Sequence, residues 1–314
     1  MLLSKNQERL SGILSHLNLM QDLPLLKSIQ IKPSSFSLLT NAANYFLYAN
    51  LTKYFTNQQF EFSDDMVERY PDEIQALPCI TPNGMVLPKV ETFLEYNLVY
   101  HSVTRIMAEL GIDGHIHSAC KNIHLRLVDG KPNQKLDSRP YSSVKLHSDI
   151  WVGDPVNIIQ VFMPLFGDTE STNVSFFEPT EFKDEYIRTL KDYSEGDSLK
   201  SNATEYKTAF KKGQVFFTDS FLLHKTMKRN GGLRLSIDFR FMPKEKVIAN
   251  RPQNEEDILL RNYIDLAQWY DIGRGHVLTS QAHLEPFKPS QSGEKFSHLD
   301  FDLVEVLKSD ESSH

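Results

Sequence analysis

His147, Asp149 and His224, with Arg234-Leu235-Ser236 beginning ten positions after the second histidine, are the residues whose types and spacing could do chemistry in this chain. Two imidazoles and one carboxylate form the facial ligand set that holds iron(II) and leaves three coordination positions open. A histidine and an aspartate one residue apart fall on one face of an extended segment, so both can reach one ion. An Arg-x-Ser behind such a face suits a bidentate acid cosubstrate with a second, distal carboxylate, which a guanidinium meets with a permanently charged planar fork.

These side chains need strands to aim them. The run from Val144 to Trp151 reads as a strand with His147 and Asp149 on one face, and Lys212-Gly213 reads as a turn feeding an apolar strand that leads to His224. Arg234, Ser236, Asp238 and Arg240 share one face of a last strand, against Leu235, Ile237, Phe239 and Phe241. Four polar residues on a buried face need partners, and a bound dicarboxylate would serve the first two. The apolar period becomes two from residue 116, where Ile123, Leu125 and Leu127 alternate with His124 and Arg126, and short β-rich runs follow at 144–151, 156–163, 174–178, 214–218 and 234–242. The expected fold is a mainly β core with flanking helices, a double-stranded β-helix or jelly-roll, cupin-like barrel.

Before residue 116 the chain reads as mostly helical, with Leu10, Ile13, Leu14 and Leu17, and then Phe36, Leu39, Ala43 and Phe46, at helical spacing. The clearest helix is expected from about Pro88 to Leu110, with Gly111 as its C-terminal cap. After Pro243, Ile258, Leu259, Tyr263, Ile264 and Ala267 return to helical spacing, and the end reads as a polar, frayed tail. The expected partition is one catalytic domain over 1–314: helical wrapping to 115, the jelly-roll core over 116–243, then a helical segment and tail over 244–314. Segments 130–143 and 181–212, polar and charged, read equally as lids or as solvated loops.

The order His-x-Asp, a gap of several dozen residues, His, then Arg-x-Ser resembles the iron(II)/2-oxoglutarate-dependent dioxygenases. Ile159-Gln160-Val161-Phe162-Met163-Pro164-Leu165 and the run ending in His224 are similar to the phytanoyl-CoA-hydroxylase-like branch. The likeness covers about residues 120 to 243. One departure is Thr180-Glu181-Phe182 after Pro179, where that branch has a Gly-Ser-His-like turn; it bears on the subfamily and leaves the metal set untouched. The resemblance implies iron(II) on His147, Asp149 and His224, and 2-oxoglutarate with its distal carboxylate on Arg234 and Ser236. It implies consumption of O2 with release of succinate and CO2. Family halogenases carry a small residue in place of the aspartate, so Asp149 implies hydroxylation.

Composition bounds the rest. Scattered charges with a net of -7 argue against a nucleic-acid partner. Two cysteines are too few for a disulfide framework or a thiolate zinc site and suit a reducing compartment. No apolar run has the length of a signal or a membrane span, so the expectation is a soluble cytoplasmic protein acting on a small molecule. The sequence does not address oligomeric state. Lys145, Trp151, Asn157, Gln160, Phe162, His124, Arg126 and Arg240 are second-tier substrate candidates, since each flanks the metal strand or shares a polar strand face. Arg240 could instead be the anion anchor or a structural ion-pair partner. His115 and His117 form the main decoy, with no third ligand at similar spacing, and His101 reads as a helix-packing residue. The leading reading is an oxygenase hydroxylating a small polar metabolite of natural-product, amino-acid or sugar type. The alternatives are a cupin-like metal isomerase or oxygenase without 2-oxoglutarate, and a non-enzymatic barrel binding protein.

Overall fold

A computed structural model describes residues 2–245, 260–272, 276–279, 283–284 and 305–308. In chain order the elements are α1 (Leu2–Leu14), β1 (Gln21–Leu23), β2 (Leu26–Gln30), α2 (Pro33–Tyr54), α3 (Met66–Arg69), α4 (Pro71–Gln75), β3 (Met85–Val86), α5 (Phe93–Leu110), β4 (Ile116–Cys120) and β5 (His124–Val128). They continue as α6 (Gln134–Asp137), β6 (Ile159–Gly167), β7 (Thr172–Pro179), α7 (Asp197–Lys200), β8 (Ala203–Glu205), β9 (Gln214–Asp219), β10 (Leu223–Lys228), β11 (Arg234–Pro243), β12 (Tyr263–Asp265), α8 (Leu266–Asp271), β13 (His276–Thr279) and β14 (Glu305–Lys308).

The larger sheet runs β1-β2-β9-β6-β11-β4-β12, with β5 also pairing β11 and β3. β11 is its spine, hydrogen-bonded to β6 along Arg234 to Phe241 and to β5 along Arg234 to Asp238. Period-two alternation gives β11 two different faces. Leu235, Ile237, Phe239 and Phe241 join the main core with Leu39 and Phe46 of α2, Tyr96, Tyr100 and Val103 of α5, and Trp269 of α8. The opposite face carries Arg234, Ser236, Asp238 and Arg240 into a cavity. A smaller sheet, β10-β7-β8, covers that face, with Phe176 of β7 against Phe162 of β6 at 5.6 Å and near Phe216 of β9 at 6.4 Å. The result is a jelly-roll arrangement of two facing antiparallel sheets; hydrogen bonding among the described residues does not close it into a continuous barrel.

Several expectations are corrected. Residues 144–151 do not form a strand: His147 makes an isolated bridge with His224, and Asp149–Val152 is a 3-10 turn. The cause is local, because the Ser148 hydroxyl accepts from Ile150 N at 3.4 Å and donates to Ser220 O at 2.6 Å, which favours a turn over a ladder. The helix expected from Pro88 starts at Phe93, since Thr92 folds residues 89–92 into a turn: its amide donates to Lys89 O at 2.9 Å and its hydroxyl oxygen accepts from Lys89 N at 3.2 Å. Gly111 caps it with φ 66°, as expected.

The helical N-terminal third contains a hairpin, and β2 gives β9 a hydrogen-bonding partner that covers an otherwise open sheet edge. Tyr263 and Ile264 lie in β12, paired with β4, whereas Ala267 is helical in α8; Ile258 and Leu259 lie outside the described residues. Of the expected frayed tail, 305–308 pairs with β13, and 309–314 lies outside the described residues. Among the described residues no helix is long and apolar enough to cross a membrane.

Gly84 closes the turn before β3 with φ +83°, and a Cβ there would lie 1.9 Å from the Leu127 carbonyl oxygen. Gly84→Ala is therefore expected to destabilise the protein by about 1–3 kcal/mol in urea unfolding, from backbone strain together with the forced shift of β5. An unchanged midpoint would contradict this packing.

Candidate metal centre and anion pocket

The bridge between residues 147 and 224 builds the site. His147 N donates to His224 O at 2.9 Å and His224 N to His147 O at 2.8 Å, a hydrogen-bonded antiparallel pair that places both rings side by side with centroids 4.3 Å apart. The 3-10 turn then swings Asp149 between them. Its Oδ1 lies 3.6 Å from His224 Nε2 and 3.9 Å from His147 Nε2. One ligand atom from each of the three buried residues lies within 4.8 Å of the others, and among the described residues this is the cluster of three or more such side chains that could hold a metal ion.

The protonation states suit ligation. His147 Nδ1 lies 2.8 Å from the Lys145 carbonyl oxygen, which can only accept, so Nδ1 carries the proton and Nε2 keeps its lone pair for an ion. Burial, with the His224 charge acting in the same direction, pulls His147 down to about 3. Burial lowers His224 as well, against the opposing charge of Asp149. Both rings are therefore neutral at neutral pH, as metal ligands must be. Burial alone would raise Asp149, but Arg240, His224 and His147 reverse this and bring it to about 2, so it is a carboxylate.

Further along the same cavity, Arg234 is completely buried. Its Nη1 donates to the Thr172 carbonyl at 3.3 Å, its guanidinium lies 5.5 Å from the Phe210 ring centroid, and its Nε and Nη2 have no hydrogen-bond partner among the described residues. Burial, reinforced by the nearby Arg126 charge, pulls it from 12.5 to about 9, still a cation at neutral pH. A buried cation with two free donors fits a carboxylate with two oxygens. Ser236, buried on the same face of β11, also lines the cavity. The residues present thus fit both an iron(II) ion and a dicarboxylate.

The other candidates separate into those that reach the cavity and those that do not. Gln160 and Arg126 line it. Arg126 is held by Asp238, with Nε–Oδ2 at 2.7 Å, and by the Asn83 carbonyl at 3.0 Å. His124 lies behind, its Nδ1 3.1 Å from Asp238 Oδ1. Arg240 is at the cavity but is committed to Asp149 and Asp154, so it is a structural partner rather than a substrate contact.

Lys145 does not line the cavity, since its ammonium pairs with Asp192 at 3.1 Å. Trp151 packs in a second core and donates Nε1 to Tyr186 O at 3.0 Å. Asn157 is turned to Arg9 and to the Pro243 carbonyl. Of the decoys, His115 pairs with Glu245 at 2.8 Å and His117 is exposed.

Phe162, expected beside the metal strand, lines the cavity with its ring edge meeting His224 at 5.5 Å. Sequence reasoning missed Tyr193, whose ring stacks on His147 with centroids 4.3 Å apart and planes 10° apart. It also missed Asn83, Tyr141 and Ser143 in the cavity wall. Asp238 was the one with a signal, a carboxylate on the polar face of β11 between two arginines. Tyr193 comes from the charged segment 181–212, and Tyr141 and Ser143 lie at the end of segment 130–143, so both segments bound the cavity.

No protein-family model matches the chain, and no curated protein sequence does. Among solved structures the chain is similar to AviO1 from Streptomyces viridochromogenes Tue57, at 14% identity over 72% of this chain and 93% of that one, with a TM-score of 0.42. It is similar to EctD from S. alaskensis with 2-oxoglutarate and 5-hydroxyectoine, at 14% identity over 74% and 80% of the two chains and a TM-score of 0.42. A further likeness is to SnoN, a non-haem alpha-ketoglutarate-dependent epimerase from nogalamycin biosynthesis, at 12% identity over 75% and 82%, with a TM-score of 0.38. At these identities and TM-scores the likenesses carry no argument about the reaction, which rests on the atoms of the site.

Arg126 and Arg240 have carboxylate partners in the cavity, and Arg234 has none among the described residues. Arg234→Leu is expected to stabilise the ligand-free protein by about 1–3 kcal/mol, the scale of relieving an unmatched buried polar group. In a melting experiment on metal-loaded protein under nitrogen, 2-oxoglutarate should raise the melting temperature of the parent and leave the variant unmoved. A variant that still responds to the dicarboxylate would remove Arg234 from the anion site.

Proposed function

We propose that this protein is a non-haem iron(II)- and 2-oxoglutarate-dependent oxygenase that hydroxylates a small polar metabolite. The observation that carries the reading is the pairing, in one buried cavity, of a His-Asp-His set with an arginine whose Nε and Nη2 have no partner among the described residues. His147, Asp149 and His224 would hold iron(II) through one face, and Arg234 with Ser236 would hold the distal carboxylate of 2-oxoglutarate. When bound, these groups supply the oxidative decarboxylation that gives succinate and CO2 and the oxidising power for hydroxylation with O2.

The chain's own residues do the rest. Tyr193 and Phe162 pack on the two histidines, fixing their ring planes and excluding water from one side of the ligands. The Lys145 carbonyl fixes the His147 tautomer. Ser143, Gln160 and Thr226 line the cavity with polar side chains that can meet a bound molecule, while Asn83 is held by Arg139 and the Tyr141 carbonyl and the Tyr141 hydroxyl donates to Leu190 O. Arg126 and Asp238 neutralise each other, so their charges do not compete for the cosubstrate. A metal enzyme that used no acidic cosubstrate would leave the Arg234 cation buried without a counter-ion, which favours the 2-oxoglutarate reading over a cupin-like isomerase.

Anaerobic addition of iron(II) and then 2-oxoglutarate is expected to give a visible charge-transfer band. The band should be absent in His147→Ala, Asp149→Ala and His224→Ala, and strongly weakened in Arg234→Leu. Folded parent protein that develops no band would sink the proposal.

A further inference from the structure

We propose that Arg240 is the positioning residue that decides how Asp149 meets the metal, and that Asp154 and Tyr263 hold Arg240 in that role. The inference rests on the metal reading of His147, Asp149 and His224 and assigns a residue outside that set. Arg240 Nη2 and Nε donate to the same oxygen of Asp149, Oδ2, at 2.8 and 3.0 Å. The other oxygen, Oδ1, is the one that faces the Nε2 atoms of His224 and His147, at 3.6 and 3.9 Å. One oxygen is thus reserved for the ion and the other is occupied by a fork of two N–H donors. A carboxylate free to rotate could offer both oxygens and fill a coordination position that a chelating cosubstrate needs.

Arg240 is itself fixed. Its Nε lies 3.1 Å from Asp154 Oδ2 and its Nη1 lies 3.6 Å from Asp238 Oδ1, and the whole side chain is buried. Burial alone would lower its proton affinity, yet Asp149, Asp154 and Asp238 together raise it, so the charge is permanent. Tyr263 completes the chain by donating its hydroxyl to Asp154 Oδ1 at 3.1 Å. Tyr263 belongs to β12, after the 116–243 core, so a strand from the C-terminal segment reaches the metal ligand through two buried side chains. Arg234 and Arg240 lie on the same face of β11, so one strand supplies both the anion anchor and the residue that orients the carboxylate ligand.

The test uses cobalt(II) with the full chain, reading affinity and the visible d–d bands at saturating metal. Arg240→Met is expected to weaken cobalt(II) binding about 10–100-fold, the usual effect of removing a partner of a ligand. Its d–d bands should also change at saturation, which a merely structural role would not produce. Arg240→Lys should recover part of both, and Tyr263→Phe should move both in the same direction by less. Folded Arg240→Met with parental affinity and bands overturns the role of Arg240. Parent protein that takes up no cobalt(II) overturns the metal reading instead. If Arg240→Met does not fold, a crystal structure of the cobalt(II)-loaded parent decides. Asp149 bound through one oxygen with Arg240 on the other supports the inference, and both oxygens on the metal, or Arg240 turned away, overturns it.

Discussion

The constraint on which the site depends is the balance of buried charge around one cavity. Arg126, Arg234 and Arg240 face Asp149, Asp154 and Asp238 in the interior, and the two histidines are neutral. The numbers of guanidinium groups and carboxylates match, but their pairing is uneven. Asp238 holds Arg126, Asp149 and Asp154 crowd Arg240, and Arg234 stands apart, its Nε and Nη2 without a partner among the described residues. Burying an unpaired ion costs several kcal/mol even after relaxation, on the order of the whole stability margin of a domain. A dication at the triad and a dianion at Arg234 leave the balance unchanged when both are present, and either one alone disturbs it. The cavity is therefore built for two ligands of opposite charge.

The fold serves that arrangement through β11. Its alternation sends four aromatic and aliphatic side chains into the helical core and four polar ones into the cavity, so the packing that stabilises the sheet also fixes the direction of Arg234, Ser236, Asp238 and Arg240. The triad is held differently, by a single bridge between two loop-and-strand segments and a one-turn helix stabilised by Ser148. That turn also aims Asp149 at Arg240. The candidate metal ligands and the candidate anion anchor are thereby tied to one strand from opposite sides.

Several strand positions and the jelly-roll class were legible in the sequence, because 159–167 and 214–219 hold short runs rich in β-branched and aromatic residues and 234–241 alternates polar with apolar. The candidate trio His147, Asp149 and His224 was picked out by residue type and order, and the fold brings the three together. The reason for its convergence was not legible: alternation along 144–151 gave the right pairing for the wrong cause, since a serine hydroxyl bonding its own backbone converts that strand into a turn. The hairpin in the N-terminal third was hidden because its partner, β9, lies far along the chain. Tyr193 and the Arg240–Asp154–Tyr263 series were hidden for the same reason, as they connect segments whose proximity only the folded chain creates. Lys145 and Trp151 were misplaced because position beside a ligand does not determine which way a side chain turns.

The central claim, that metal and dicarboxylate occupy one charge-balanced cavity, is tested most directly by calorimetric titration of 2-oxoglutarate into metal-free and iron(II)-loaded protein under nitrogen. The account predicts one-to-one binding that is clearly tighter when iron(II) is present. Equal affinity in the two forms, or no binding to the iron-loaded protein, would contradict it.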